Sequence, residues 1–353
     1  MPTIHVGCKG FGFSRLKAHL GCSGLQPVAC VDIDIEGARE DVASLDYPAA
    51  GELSERVYST ITEAAGQHDA KACVIYAATP PHAALTIESL GLGLHTLCVK
   101  PIATTQDEFG RVMRARREHP ELVLVQGQNK RWNPAAVKMR EWLNGEGGIG
   151  EMRGGECRFW VRLDLRHEGR VDALTEGLFF HAAASHQLDQ LVAAVGLPRY
   201  VTAAFLDSTD GDIGQVGVAG TAGGQAFMEY GNGAIFSYTG TRAAHATDRF
   251  VAWSGRWQFH GTQRDLRREA GRLQLFRKGR KVEDVDLRDV DAELLQDERI
   301  QLDAFAEAVT AGTNRQWLEE STLGTWILME ACNESARSGK RVDVEKLRSI
   351  LMD

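Results

Sequence analysis

The chain has 353 residues, of which 43% are hydrophobic and 25% are charged, a composition typical of soluble globular proteins. This length exceeds what one ordinary hydrophobic core supports, so we expect two domains. A net charge of −8 without a basic stripe argues against a nucleic-acid partner. No apolar run approaches the roughly 18 residues that a membrane span needs.

The compartment is predicted from the start of the chain and from its cysteines. The first predicted strand begins directly after Met1, so we expect no secretion signal. The cysteines number seven, lie mostly in apolar strands and include no C-x-x-C pair. We therefore expect reduced core cysteines in a cytoplasmic protein.

The first stretch of the chain predicts a dinucleotide site. Ile4 and Val6 begin a strand, and a glycine cluster then turns the chain into a helix that ends near Gly21. Residues 27–31 are an apolar run typical of a buried parallel strand, and this run ends at Asp32. Asp32 follows Gly12 by about 20 residues, the spacing of a carboxylate that accepts hydrogen bonds from the adenosine ribose.

The glycine turn has the pattern Gly7-x-Lys9-x-x-Gly12, in which a lysine replaces the usual middle glycine. A helix N-terminus attracts a pyrophosphate when glycine lets the phosphate approach. We expect Gly10 to allow part of this approach, and Lys9 either to pair with a phosphate or to point into solvent. Asp32 favours NAD over NADP because a carboxylate would repel a 2′-phosphate, and Ile33 offers that phosphate no cation.

Strands and helices alternate up to about residue 126. Further strands are expected at 73–77, 96–99 and 122–125, and helices at 36–43, from Pro81 through Leu90, and at 105–117. This alternation predicts a doubly wound parallel sheet, in which ligands bind beyond the carboxyl ends of the strands. Asp32, Thr79 and Lys100 all follow such ends. We assign residues 1–126 to an NAD-binding Rossmann domain.

Residues 127–353 follow a different pattern, which predicts an α+β domain with a large, mainly antiparallel open sheet. Strands are expected at 200–206, 215–220, 225–230, 234–239, 250–259, 273–276 and 282–287, and helices at 134–143, 185–195, about 292–311 and 319–338. The segment 145–150 formally matches G-x-G-x-x-G. It follows a helix and enters a strand, so we interpret it as a loop.

Several short motifs follow one another along the chain: the glycine turn, Asp32, Ala78-Thr79-Pro80, Lys100-Pro101, Gly148-Ile149-Gly150 and His186-x-x-Asp189. In this order they resemble the glucose-fructose oxidoreductase and inositol dehydrogenase (Gfo/Idh/MocA) family. The resemblance covers essentially the whole chain. It implies NAD(P)-dependent hydride transfer on sugars and cyclitols, and a C-terminal sheet that binds substrate and forms homodimers or homotetramers. It also implies a cis peptide bond between Lys100 and Pro101.

The turn, the strand ends and the resemblance together give the predicted cofactor site. Its residues are Gly7, Lys9, Gly10, Phe11, Gly12, Asp32, Ile33, Ala78, Thr79, Pro80, His82, Lys100 and Pro101. Two family carboxylates are absent: Val99 stands where the family usually has Glu before Lys-Pro, and Ala182 stands four residues before His186. The usual Lys, Asp and His trio is thereby reduced to Lys100 and His186.

We predict Lys100 and His186 to be the catalytic residues. Oxidation of a secondary alcohol requires a base at the hydroxyl proton. A histidine, with an ordinary pKa near ~6.5, can serve at neutral pH, whereas a lysine would need its pKa lowered from ~10.4. We therefore interpret His186 as the acid/base and Lys100 as the group that orients the hydroxyl and stabilises alkoxide charge, with the reverse assignment left open.

The predicted substrate-binding residues are Arg131, Trp160, Arg162, His181 and Asp189. Trp160 and Arg162 are two residues apart on one predicted strand, so their side chains point to the same face of the sheet. There they could stack on and hydrogen-bond a sugar ring, or pack within the sheet. His181 could replace the carboxylate absent at Ala182. Asp189 could touch substrate or tie down its helix. No metal site is predicted.

Two alternative functions remain open from the sequence. The protein could hold NAD tightly and cleave a glycosidic bond through transient oxidation. It could also be a non-catalytic regulator that senses NAD or a sugar. The absence of the two carboxylates motivates both alternatives, whereas Lys100 and His186 favour a dehydrogenase.

Overall fold

The computed structural model describes residues 1–161, 179–206, 222–244, 254–269, 271–287 and 295–352. The chain divides into two compact units. Unit 1 comprises Met1–Asn129, Leu295–Leu323 and Leu351–Asp353, and unit 2 comprises Lys130–Leu294 and Gly324–Ile350.

Unit 1 is built around a six-stranded parallel sheet with the strand order β3-β2-β1-β4-β5-β6. Its strands are β1 (Pro2–Val6), β2 (Gln26–Val31), β3 (Val57–Tyr58), β4 (Ala72–Ile75), β5 (His95–Val99) and β6 (Leu124–Gly127). Its helices within residues 1–129 are α1 (Gly10–Leu20), α2 (Ile35–Ala43), α3 (Ala50–Ser54), α4 (Ile61–Gln67), α5 (His82–Gly91) and α6 (Gln106–Glu118). All four residues of β4 are buried, as a central strand covered on both faces requires.

Side-chain caps explain where several of these helices begin. Asp34 accepts from the backbone N–H of Gly37 at the start of α2 (3.1 Å). Thr105 accepts from the N–H of Glu108 at the start of α6 (3.2 Å), and the Glu108 carboxylate in turn accepts from the N–H of Thr104 (2.8 Å). Pro81, predicted as a first-turn residue of α5, lies instead at its N-cap, one residue before the helix begins.

Unit 2 contains a nine-stranded sheet with the order β14-β13-β12-β11-β7-β10-β9-β8-β15. Its strands are β7 (Met152–Trp160), β8 (Tyr200–Leu206), β9 (Gly223–Glu229), β10 (Ile235–Thr241), β11 (Arg256–Gly261), β12 (Asp265–Glu269), β13 (Arg272–Arg277), β14 (Arg280–Asp286) and β15 (Val342–Asp343). Strands β7 and β10 pair in parallel, whereas the other neighbours are antiparallel. The predicted mainly antiparallel sheet is confirmed.

The remaining helices are α7 (Pro134–Asn144), α8 (Phe179–Ala182), α9 (Ser185–Val195), α10 (Gln296–Thr310), α11 (Arg315–Ser338) and α12 (Val344–Met352). Helix α9 has the predicted bounds. The predicted strand at 215–220 lies outside the described residues. Strands β3, β12 and β15 and helices α3, α4, α8 and α12 were not predicted. Most of them are short, but α12 carries a clear apolar period, with Val344, Leu347 and Leu351 buried, that was missed.

Three segments that were assigned from sequence to the second domain belong to unit 1: 127–129, 295–323 and 351–353. Polar contacts fasten the longest of them, 295–323, to the rest of unit 1. The Tyr76 hydroxyl donates to Glu298 of α10 (2.5 Å), and Arg116 donates to Glu319 of α11 (3.0 Å).

Candidate functional site

The glycine turn between β1 and α1 depends on glycine for two different reasons. A Cβ on Gly7 would lie 2.7 Å from the Tyr76 carbonyl carbon, and one on Gly12 would lie 2.1 Å from the Gly7 oxygen. These two glycines are therefore required by packing of the turn. Gly10 has a φ of +51° and faces open space. Gly10 thus leaves room for a phosphate to approach the backbone, and this contact stays a prediction.

Asp32 is fixed at the end of β2 by backbone donors. Its Oδ2 accepts from the N–H of Cys8 (2.7 Å), and its Oδ1 accepts from the N–H of Asp34 (3.0 Å). Each carboxylate oxygen has a second lone pair that could accept from a ribose hydroxyl. Together with the amides in the first turn of α1, these groups fit a dinucleotide. Ile33, next in the chain, is 97% exposed.

Lys9 makes contacts that the sequence did not predict. Its Nζ lies 3.4 Å from Asp34 Oδ2 and 3.5 Å from Asp41 Oδ2, so the ammonium pairs with carboxylates at the start and the end of α2. The side chain does not simply point into solvent. A phosphate contact of Lys9 stays a prediction.

The loops after β4 and β5 carry the next predicted cofactor residues. Ala78 and Pro80 are exposed, and Thr79 is half-buried. The Lys100-Pro101 peptide bond is cis, as the resemblance implies. Lys100 is half-buried, and its N–H donates to the carbonyl of Gly127 in β6 (3.2 Å).

His82 lies beneath these two loops, with a relative exposure of 1%. Its ring nitrogens face the carbonyl oxygens of Pro101 (2.8 Å) and Ala77 (2.9 Å). Burial opposes the charged imidazolium, but Cys98 and the two carbonyls favour it, and the net effect raises the pKa of His82 to about 9. The His82 ring therefore hydrogen-bonds to both loops and is not exposed at the surface that a cofactor could reach.

A buried histidine chain beneath the glycine turn was missed from sequence. The carbonyl of Gly7 must accept from Nε2 of His5 (3.1 Å), which leaves His5 Nδ1 to accept from Nδ1 of His19 (3.1 Å). Nε2 of His19 then accepts from the Thr3 hydroxyl (2.9 Å). Both rings are neutral in this arrangement. Burial accordingly lowers the pKa of His5 to about 4 and that of His19 well below its ordinary value.

A second unpredicted feature supports the same turn from α10. One oxygen of Glu298 accepts from the Tyr76 hydroxyl (2.5 Å), and the other pairs with Arg15 Nε (3.3 Å). The Arg15 guanidinium carbon lies 4.4 Å from the centre of the Phe11 ring, which is 52% exposed beside Gly10. No pattern in the sequence links Glu298 to residues more than 200 positions earlier.

In unit 2, His186 and Ala182 are the accessible residues of their local segment. Both are half-buried, whereas every residue from Gln187 to Ala194 is buried. They lie four residues apart, and the backbone is tied by the Ser185 hydroxyl, which donates to the Ala182 carbonyl (2.8 Å). The His186 carbonyl accepts from the Gln190 side chain one turn later (2.9 Å). His186 is thus partly exposed at the start of α9, with its Nδ1 buried.

Arg131 and Asp189 form a buried ion pair with each other. Arg131 Nε donates to Asp189 Oδ2 (2.8 Å), and Arg131 Nη2 donates to Asp189 Oδ1, which also accepts from Thr325 (2.9 Å). Each residue is only 1% exposed. Burial raises the pKa of Asp189, against the opposing effect of Arg131. The predicted substrate contacts are corrected here, because Asp189 ties α9 to the 3₁₀ helix Asn129–Trp132, one of the two roles left open for it.

His181 is also turned into the interior of unit 2. It is 3% exposed, its Nε2 lies 3.3 Å from Oε2 of Glu330, and its ring contacts that of Trp326 at 5.3 Å between centroids. The structure therefore does not place His181 where the side chain of residue 182 lies. Its predicted role as a replacement carboxylate is not supported, because α8 turns the two side chains in different directions.

The remaining predicted substrate residues lie at the end of β7. Trp160 is the last residue of the strand and is 53% exposed, in register with Thr241 of β10. Arg162 lies outside the described residues. The second glycine motif is a loop between α7 and β7, as predicted, in which the N–H of Ile149 donates to the Trp142 carbonyl (3.0 Å).

Within the described ranges of the chain, no group of three or more His, Cys, Asp or Glu residues is arranged to hold a metal ion. No helix in those ranges is both long enough and apolar enough to cross a membrane. All seven cysteines are buried and free.

Two family models match the chain. The model of the oxidoreductase family with an NAD-binding Rossmann fold matches residues 4–126, and that of the GFO/IDH/MocA C-terminal domain matches residues 136–267. Inositol 2-dehydrogenase/D-chiro-inositol 3-dehydrogenase of Shouchella clausii is 26% identical over 195 residues, which are 54% of this chain and 52% of the relative. The chain thus spans about half the length of this curated relative.

Solved structures share the fold over nearly the full chain. An oxidoreductase from Agrobacterium radiobacter, in complex with NAD⁺, L-tartaric acid and magnesium, has a TM-score of 0.82 at 19% identity and covers 98% of this chain and 99% of its own. Levoglucosan dehydrogenase, in complex with NADH and levoglucosan, has a TM-score of 0.77 at 18% identity, with coverage of 98% and 99%. The chain belongs to the Gfo/Idh/MocA family, with an NAD-binding Rossmann fold in its N-terminal part.

Proposed function

We propose that the protein is an NAD-dependent oxidoreductase that transfers a hydride between a secondary alcohol of a sugar, cyclitol or derivative and the nicotinamide. The observation that carries this proposal is His186, a half-buried residue in the first turn of a helix whose residues 187–194 are all buried, in a chain whose other unit is an NAD-binding Rossmann domain. The inositol dehydrogenase and levoglucosan dehydrogenase relatives support a substrate with a CH–OH group.

The residues of unit 1 would hold the cofactor. The first-turn amides of α1 would bind the pyrophosphate over Gly10, and the Asp32 carboxylate would accept from the adenosine ribose hydroxyls. When bound, NAD supplies the hydride acceptor. His82, buried beneath the loops that follow β4 and β5, fixes the carbonyls of Ala77 and Pro101 and thereby the backbone beside Lys100.

The chain's own residues would move the proton. Loss of hydride from a carbinol carbon leaves a protonated carbonyl unless the hydroxyl proton departs, so a base must reach that hydroxyl. We assign this role to the His186 imidazole and assign Lys100 to orient the hydroxyl and stabilise alkoxide charge. In the reverse reaction, His186 would return the proton.

The substrate contacts are assigned more narrowly than the sequence allowed. Trp160, half of whose surface is exposed, could stack on the apolar face of a sugar ring. Arg131, Asp189 and His181 have structural roles in the interior of unit 2, and a substrate contact by Arg162 stays a prediction.

The test is nicotinamide reduction followed by absorbance, with NAD and NADP in parallel, over free sugars, inositols, sugar acids and glycosides. We expect turnover with NAD on at least one polyhydroxylated substrate, and much less with NADP. Cleavage of a glycoside without net NADH production would favour the glycosidic alternative. Binding of NADH without turnover on any member of the panel would contradict the proposal.

We also propose a cytoplasmic homodimer or homotetramer. The buried, free cysteines fit a reducing compartment. Phe227 (40% exposed) and Ile235 (48% exposed) lie on the same face of the sheet, because Phe227 is in register with Ser237, two residues from Ile235. Light scattering coupled to size-exclusion chromatography should give two or four chains for the wild type, and a single-chain mass would contradict this assignment.

A further inference from the structure

The ion pairs of Lys9 join the glycine turn to α2. Its ammonium lies between Asp34, the N-cap of α2, and Asp41 near the end of that helix, at 3.4 Å and 3.5 Å. We call these three residues the Lys9 trio. Lys9 is 42% exposed and the two acids are 57% and 38% exposed, so the trio lies at the surface beside the predicted ribose site.

Gly37 makes this arrangement sterically possible. A Cβ at residue 37 would lie 2.4 Å from Lys9 Nζ and 2.3 Å from Asp34 Oδ2. Gly37 is an ordinary helical residue and costs α2 stability relative to alanine. The missing side chain leaves room for the ammonium to approach the helix, which is a reason for glycine at this position beyond backbone conformation.

The trio also sets the charge near the ribose. The backbone N–H of Asp34 donates to Asp32, so both acids belong to one short loop. Lys9 is the only basic residue in segments 7–12 and 32–38, and Arg39, the next basic residue of α2, is paired with Glu36 at 3.0 Å. Within these two segments, Lys9 is therefore the cation that could attract a 2′-phosphate. The carboxylates of Asp34 and Asp41 already compensate its charge. Asp32, Asp34 and Asp41 together outnumber this cation three to one.

We propose that the Lys9 trio determines cofactor specificity, because Asp34 and Asp41 neutralise Lys9 and thereby withhold a cation from the 2′-phosphate of NADP. Asp32 then acts with two further carboxylates, and its own charge is only part of the discrimination. The inference concerns the cofactor site of the proposed dehydrogenase. Its test uses binding alone, so its outcome does not depend on whether any substrate is turned over.

The experiment is fluorescence titration of the full-length protein with NADH and with NADPH at about 0.02 M ionic strength, where surface charges act over about 20 Å. The test variant is Asp34→Asn/Asp41→Asn, in which the asparagine introduced at position 34 keeps a side-chain oxygen that can cap α2. The matched control is Glu40→Gln/Asp46→Asn, which removes two exposed acidic charges from α2 and the turn after it, outside the trio and away from the Arg39–Glu36 pair. Circular dichroism confirms that each variant is folded.

We expect the ratio of the NADPH to the NADH dissociation constant to fall about tenfold in the test variant, which corresponds to about 1.4 kcal/mol. The control should keep the wild-type ratio. Adding Lys9→Ala to the test variant should reverse at least half of the fall in the logarithm of this ratio. In about 0.5 M salt the fall in the ratio should be smaller, because surface charges are then screened.

A second variant tests the geometry without changing any charge. Gly37→Ala would displace the ammonium and the Asp34 carboxylate from each other, and we expect it to lower the same ratio by a smaller factor. The proposal is overturned if the ratio is unchanged in Asp34→Asn/Asp41→Asn, or if the control changes it equally. The proposal is also overturned if the ratio falls just as far when Lys9→Ala is added to Asp34→Asn/Asp41→Asn.

Discussion

Oδ2 of Asp32 accepts a hydrogen bond of 2.7 Å from the backbone N–H of Cys8, which fastens the end of β2 to the glycine turn after β1. The same carboxylate accepts from Asp34, so its position is fixed from both sides. A ribose that bound here would meet a carboxylate already in place, which lowers the entropy cost of recognition.

Replacing Asp32 should weaken cofactor binding. The variant Asp32→Ala loses charge-assisted hydrogen bonds that are worth about 1.5–3 kcal/mol each, so we expect the NADH dissociation constant to rise about tenfold to 100-fold. Fluorescence titration measures this change. Asp46→Asn, at an exposed position after α2, is the control and should bind as the wild type. Wild-type affinity in Asp32→Ala would refute its ribose contact.

Glu298 should matter to unit 1 although it lies far from the turn in sequence. The variant Glu298→Ala would leave the Arg15 guanidinium and the Tyr76 hydroxyl without this partner. We expect it to lower the unfolding free energy by about 2–4 kcal/mol and to weaken NADH binding. Urea unfolding provides the measurement. Glu307→Ala, exposed on the same helix, should have little effect, and equal losses in both variants would contradict the role of Glu298.

The Arg131–Asp189 pair should be a structural element. Removing one partner by Arg131→Ala or Asp189→Ala leaves the other charge buried, which costs about 3–5 kcal/mol of unfolding free energy. The double variant Arg131→Met/Asp189→Leu should cost less than the two single losses together, because no buried charge remains. Chemical denaturation tests this. If the single variants kept wild-type stability and raised only the KM, Asp189 would be a substrate contact after all.

The buried histidines predict a loss of stability in acid. Burial lowers the pKa of His5 from 6.5 to about 4, so this imidazole stays neutral in the folded protein while the unfolded chain binds a proton below pH 6.5. The unfolding free energy should therefore fall as the pH falls from 6.5 towards 4, by about 3 kcal/mol for His5 alone. His19, whose pKa is also lowered, adds to the same trend.

Urea unfolding at several pH values between 7 and 4.5 checks this trend. Carboxylates that titrate in the same range contribute to wild type and variant alike, so the comparison isolates the histidines. In the variant His5→Gln/His19→Gln, the unfolding free energy should fall distinctly less with decreasing pH than in the wild type. Parallel pH profiles for the two proteins would contradict a neutral histidine chain beneath the turn.

Local patterns in the sequence predicted the first βαβ unit and helix α9 closely. A glycine turn, an apolar strand and an acid at fixed spacing depend on neighbours in the chain, and α9 has a continuous apolar face. The accessible His186 could be singled out because the family resemblance marks its motif. Short elements such as β12 and α3, with five residues each, carry too few residues to establish a period.

The roles of buried polar residues were harder to predict, because their partners lie far away in sequence. Asp189 is paired with Arg131 and His181 with Glu330, and nothing local distinguishes these contacts from substrate contacts. Lys9 occupies the position of the middle glycine in a phosphate-binding motif, so a phosphate contact or exposure to solvent was predicted for its side chain. The actual carboxylate partners are set by the packing of α2 beside the turn.

The central claim is that His186 is the acid/base of an NAD-dependent dehydrogenase. The most direct measurement compares wild type and His186→Ala for steady-state NAD reduction on a substrate found in the panel, with NADH affinity measured on the same samples. We expect turnover to fall by about 10²-fold or more, as loss of a general base predicts, while NADH binds with unchanged affinity. Near wild-type turnover in His186→Ala would contradict the assignment.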